Sequence, residues 1–97
     1  MNALGFLEVS GTVAAIEALD AMLKTADVSL VTCEKKFGGR LVTVIVTGSI
    51  SSVNEAVENG KVRANQITKA VASAVIANPH EETKRMVELS AEKNNIK

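Results

Sequence analysis

The chain has no tryptophan or tyrosine, and Phe6 and Phe37 are its only aromatic residues. Proteins that hold single-stranded nucleic acid usually stack bases on aromatic platforms, and duplex binders show a basic face. Neither is present here, because 11 basic residues are balanced by 11 acidic ones. A nucleic-acid partner is therefore not expected. The single cysteine, Cys33, excludes an intrachain disulfide and suits a reducing compartment. No apolar run approaches the roughly 20 residues needed to cross a bilayer. The opening Met1-Asn2-Ala3-Leu4 lacks the charged start and apolar stretch of a secretion signal. These absences predict a cytoplasmic protein with no membrane contact.

Catalytic chemistry is equally sparse. His80 is the only histidine and follows the only proline, Pro79. A structural hydrogen bond or a helix-start role explains a histidine at such a position more simply than catalysis, and only Glu81 and Glu82 lie beside it as further ligands. Cys33 falls in a β pattern without the companion of a Cys-x-x-Cys motif, so it is read as a small hydrophobe. Gly38-Gly39 lacks the other glycines and the following helix of a dinucleotide loop, and no phosphate-loop sequence occurs. No catalytic set, metal-ligating set or cofactor is expected, and the chain is read as a non-enzyme.

What the chain does contain is apolar residues. A length of 97 residues fits one domain, and 46% of it is of the hydrophobic class. So much apolar surface in so small a domain favours burial between subunits. Ala3 to Ser10 reads as a first strand. Ser10-Gly11-Thr12 supplies turn and cap chemistry, after which Ile16, Leu19, Leu23 and Ala26 recur at helical steps and form the expected inward stripe of a first helix. Val28 to Cys33 and Leu41 to Thr47 are rich in β-branched residues and should pair as a hairpin around Gly38-Gly39.

Ser52-Val53-Asn54-Glu55 has the spacing of a capping box, and Val53, Ala56, Val57, Gly60, Ala64, Ile67 and Val71 continue a second helix. Ala74 to Ala77 reads as a short last strand, stopped by Asn78-Pro79. From Glu81 the chain is polar, with Met86, Val87 and Leu89 as a weak helical stripe. The fold class is α+β: a ferredoxin-like βαββαβ sandwich with a four-stranded antiparallel sheet, two main helices on one face, and a short C-terminal helix or tail. Residues 1–80 form the domain and 81–97 a variable end. What covers the second face of the sheet is left open.

Lys35, Lys36 and Arg40 flank the hairpin turn, where a solvated charged loop tip is the ordinary explanation. Repeated around a rotation axis, the same loop would become a cationic ring that focuses field on an opening.

Ala3-Leu4-Gly5-Phe6-Leu7-Glu8, Gly11, Ile16-Glu17-Ala18 and Asp20-Ala21-Met22-Leu23-Lys24 closely resemble the opening of the single-domain shell proteins of bacterial microcompartments. The likeness continues through Leu30-Val31, the glycine-bearing loop, Val42 to Val46 with Gly48, Gly60, and Val75-Ile76 with Pro79-His80. Carboxysome shell proteins share the pattern. The resemblance implies a structural protein that forms flat cyclic homohexamers, tiles into sheets with other shell proteins around encapsulated enzymes, and passes small polar metabolites through a central pore. The alternative from another class is an oligomeric ferredoxin-like sensor of small ligands.

By the same resemblance, Lys36, Phe37, Gly38, Gly39 and Arg40 line the pore, and Lys24, Asp27, Asn78 and His80 lie at the edge between hexamers. Two departures stand out. The family commonly carries Lys-Ile-Gly-Ser-Gly or a close variant at the pore, whereas this chain reads Lys35-Lys36-Phe37-Gly38-Gly39-Arg40-Leu41, one residue longer than the usual spacing from Leu30-Val31. Asn78 stands where many relatives place an arginine before Pro-His.

Overall fold

A computed structural model describes residues 2–94; Met1 and the last three positions of the 81–97 segment lie outside the described residues. The elements run β1 (Ala3–Ser10), α1 (Thr12–Thr25), β2 (Val28–Lys36), a 3-10 turn (Phe37–Gly39), β3 (Leu41–Gly48), α2 (Ile50–Ile67), β4 (Ala70–Ile76) and α3 (Glu81–Lys93). The four strands form one antiparallel sheet in the order β2-β3-β1-β4. This is the expected βαββαβ order with one helix added.

Strand alternation separates two apolar layers. Ala3, Leu7 and Val9 of β1, with Val42, Val44 and Val46 of β3, face α1 and α2. Leu4 and Ile45 face the other way and are covered by Val87 of α3, with Phe6 and Val31 at the margin. The second face of the sheet, left open by the sequence, is therefore covered in part, on its β2 side, by the C-terminal helix. Of the stripe Met86, Val87 and Leu89, only Val87 is buried. Full burial of one such side chain contributes about 2 kcal/mol, which explains how a weak apolar stripe can seat α3.

The stripe expected of α1 is corrected. Ile16 and Leu23 are exposed, at 60% and 43%; Leu19 and Ala26 do pack against the core, but the buried face consists of Ala14, Ala15, Ala18 and Met22. Both sets have helical spacing; the small residues win because α1 packs closely on α2 and the sheet, where bulky side chains would not fit. The cap of α2 also moves. Ser49, not Ser52, is the N-cap, and its side chain accepts from the Ser52 amide at 3.2 Å. Val53, Ala56, Val57, Gly60 and Ala64 are buried as the periodicity predicts. Ile67 is the last residue of α2, whereas Val71 already belongs to β4, which starts four residues before the expected Ala74.

Gly60 has a packing reason. A Cβ there would stand 2.8 Å from Met22 Cγ and 2.9 Å from Leu7 Cδ2, so α2 meets both α1 and the sheet at this point.

Candidate functional site

Sheet register sorts the candidate residues into two groups. At one end of the sheet Ser10 pairs with Leu41 and Lys36 with Leu41, so the hairpin tip lies beside the β1–α1 junction. At the other end Ala3 and Val28 both pair with Gly48, and Leu4 pairs with Ile76. The end of α1 and the exit of β4 are found there. An eight-residue strand at about 3.4 Å per residue puts roughly 24 Å between the two ends.

The hairpin tip gathers Lys36, Phe37, Gly38, Gly39 and Arg40 into one turn. Phe37, Gly38 and Gly39 have φ of 54°, 65° and 91°, a run of left-handed backbone that two glycines accommodate. The Arg40 amide donates to the Phe37 carbonyl at 3.3 Å. All but Gly39 are exposed, Phe37 at 72%. With Lys35, the tip carries three cations and an uncovered ring, and no acidic residue lies between Lys35 and Arg40.

The opposite end holds the four edge candidates. Lys24 lies on the last turn of α1, with its ammonium 2.8 Å from the Asp20 carboxylate on an exposed face. That hydrogen bond and charge raise the Lys24 pKa, keeping the ammonium charged. Asp27 follows in the exposed link to β2, and its carbonyl leaves no room for a side chain at Gly48. Asn78 borders a shallow cavity of about 360 Å³ with Asn2, Ala3, Ser49, Ile50 and Ala77.

His80 caps α3: its Nδ1 accepts from the Glu82 amide at 3.0 Å, which is the helix-start role favoured from the sequence. Burial, as the largest cause, pushes the half-buried Cys33 thiol upward and away from thiolate reactivity. Among the described residues no group of three or more His, Cys, Asp or Glu could hold a metal ion, and no helix is long and apolar enough to cross a membrane.

Sequence reasoning missed a polar cluster beneath the end of α3. Glu34 accepts from Ser90 Oγ and Asn94 Nδ2, both at 2.6 Å, while the buried Thr32 hydroxyl lies 3.1 Å from Ser90 Oγ. The hydrogen bonds from Ser90 and Asn94, then Lys93 and Lys36, hold the Glu34 carboxyl below its ordinary range. No spacing rule links residues 34 and 90, so this cluster had no local signal.

This is a small α+β subunit with a cationic glycine turn at one end, a paired lysine at the other and apolar side chains left outside its core, which offer surface for a partner to cover. The comparisons specify which kind of subunit. The BMC domain model matches residues 3–79, and the chain belongs to this family.

Over 86 residues it is 44% identical to the bacterial microcompartment shell protein PduA of Citrobacter freundii, covering 89% of this chain and 91% of that protein. It is 40% identical over 90 residues to shell protein EutM of Salmonella typhimurium, covering 93% of each. Carboxysome shell protein CsoS1C of Hydrogenovibrio crunogenus is 44% identical over 88 residues, with 90% and 85% covered. A crystal structure of a microcompartment protein from Desulfitobacterium hafniense superposes with a TM-score of 0.79 at 28% identity; the match covers 93% of this chain and 48% of that one. Membership supports a structural role in a microcompartment shell, and hexamers with a central pore are the behaviour of this family.

Proposed function

We propose that this chain is a tile of a microcompartment shell in which Lys36, Phe37, Gly38, Gly39 and Arg40 of six copies surround a pore, while Lys24, Asp27, Asn78 and His80 lie at the outer edge. The observation that supports this reading is the placement of the two groups at opposite ends of one sheet, roughly 24 Å apart. A flat ring needs that polarity: one end of each subunit turned to the axis, the other to the next ring. The exposed Val13, Ile16 and Val62 would supply the apolar contact between neighbours.

The ring of loops favours small polar or anionic metabolites, because glycine amides and the flanking cations face the passage without acidic residues to oppose them. Partners are further copies, other shell proteins and encapsulated enzymes, in a cytoplasmic compartment. Residues 1–80 make the shell domain of the tile, and α3 of the 81–97 segment is seated on its sheet through Val87. The tile acts as a barrier and a passage, not as an enzyme. Native mass spectrometry at low micromolar protein tests the assembly, with a hexamer expected. A monomer or trimer as the dominant species overturns the proposal.

A further inference from the structure

The candidate pore loop is tied to a second element of the fold. Within the turn, the hydrogen bond from the Arg40 amide to the Phe37 carbonyl is long at 3.3 Å. Phe37 is the one non-glycine residue with positive φ among the described residues, a conformation that side chains seldom adopt without support from their surroundings.

That support comes from the start of α1. Thr12 Oγ1 donates to the Gly39 carbonyl at 3.2 Å, and the Gly11 amide donates to the Arg40 carbonyl at 2.9 Å. The fit leaves no slack, since a Cβ on Gly39 would lie 2.5 Å from Thr12 Oγ1. Thr12 is the first residue of α1 after the Gly11 N-cap, and its hydroxyl is given to the loop.

We infer that Thr12 is a positioning residue of the pore loop, whose hydroxyl fixes Gly39 and thereby keeps the Phe37 ring turned out. This rests on reading residues 36–40 as the pore lining; given that, a side chain 27 positions away from Gly39 decides how far an aromatic ring projects into the passage. Every subunit of a ring would carry the same brace, so its loss would loosen the whole collar at once.

Thr12→Val removes the hydroxyl at nearly constant volume, and Thr12→Ser restores it without the methyl group. With only two phenylalanines in the chain, 4-fluorophenylalanine labelling of the full-length protein gives two fluorine NMR signals, and half-buried Phe6 serves as the internal control. The Phe37 signal should shift and broaden in Thr12→Val and return in Thr12→Ser, while Phe6 stays in place in both. Amide exchange at Gly11 should quicken about three- to tenfold in Thr12→Val alone, as expected for loss of one hydrogen bond. A Phe37 signal and Gly11 exchange unchanged by Thr12→Val overturn the inference. Native mass spectra of the same samples keep the two ideas separate: if the Phe37 response appears in a protein that forms no ring, the brace stands and the pore reading fails.

Discussion

Glu34 and Ser90, 56 residues apart, share a hydrogen bond of 2.6 Å that ties α3 to β2. Asn94 donates to the same carboxylate oxygen, so one ionised side chain secures the far end of a helix otherwise seated by Val87. Because these hydrogen bonds hold the Glu34 pKa below its ordinary value of 4.5, the stabilisation is complete above that pH and is lost as pH falls through the lower, folded value. Acidification below pH 4.5 should therefore loosen α3 before the sheet melts. Amide exchange along residues 81–93, measured from pH 7 downward with correction for intrinsic rates, checks this. Glu34→Gln should flatten the change, and Ser90→Ala should cost about 1 kcal/mol at neutral pH.

Gly60→Ala tests the close approach of α2. Alanine favours a helix interior by about 1 kcal/mol over glycine, but its methyl would press on Met22 and Leu7 at under 3 Å. Overpacking of this kind costs about 1–3 kcal/mol. Met22 can bend, so the net loss should be near 1 kcal/mol, read from the denaturant midpoint. Gly60→Val, with no comparable escape, should lose clearly more. A stabilised Gly60→Ala protein would mean that the contact is looser than these distances imply.

The strand and helix order was legible because β-branched runs and buried periodicity speak locally, as in β3 and in Val53 to Ala64 of α2. The face of α1 was not. Ile16 and Leu23 imitate a core stripe, yet alanines face inward and leave the larger side chains outside, where a partner subunit can cover them. The roles proposed for residues 36–40 and for the Lys24 group rest on family likeness alone, whereas their placement at opposite ends of the sheet follows from strand register. The Thr12–Gly39 and Glu34–Ser90 contacts join distant positions and needed the fold before they could be seen.

The two loop glycines should respond differently to substitution. Gly38 has φ of 65° and nothing within 4 Å of an added Cβ, whereas Gly39 has φ of 91° and meets Thr12 Oγ1. Asparagine tolerates left-handed backbone better than most residues. Gly38→Asn should leave the hexamer and its thermal stability nearly unchanged while narrowing the passage and slowing metabolite flux through assembled shells. Gly39→Ala should instead disturb the loop itself, with faster exchange of the Arg40 amide. Unchanged flux through a pore shown to be narrowed by Gly38→Asn would contradict the role given to this turn.

Lys24 carries the prediction about tiling. Its ammonium pairs with Asp20 on the exposed face of α1, so nothing in the core depends on it. Lys24→Asp would replace that pair with two carboxylates one helical turn apart and add negative charge at the helix C-terminus; together these cost the exposed helix about 1 kcal/mol or less. The ring should survive so small a loss. At a two-fold edge, however, each variant subunit would face a second new carboxylate, and the lysine stem that could lie against its counterpart would be gone. Six edges per hexamer multiply the effect across a lattice. Lys24→Asp is therefore expected to remain a hexamer by native mass spectrometry while forming no extended sheets or tubes by electron microscopy. Lys24→Ala, which removes the stem without the repulsion, should fall between it and the wild type. The family resemblance sets an arginine in many relatives where this chain has Asn78, so wild-type sheets must be obtained first, alone or with a second shell protein. If they form and Lys24→Asp tiles as readily, Lys24 does not belong to the edge.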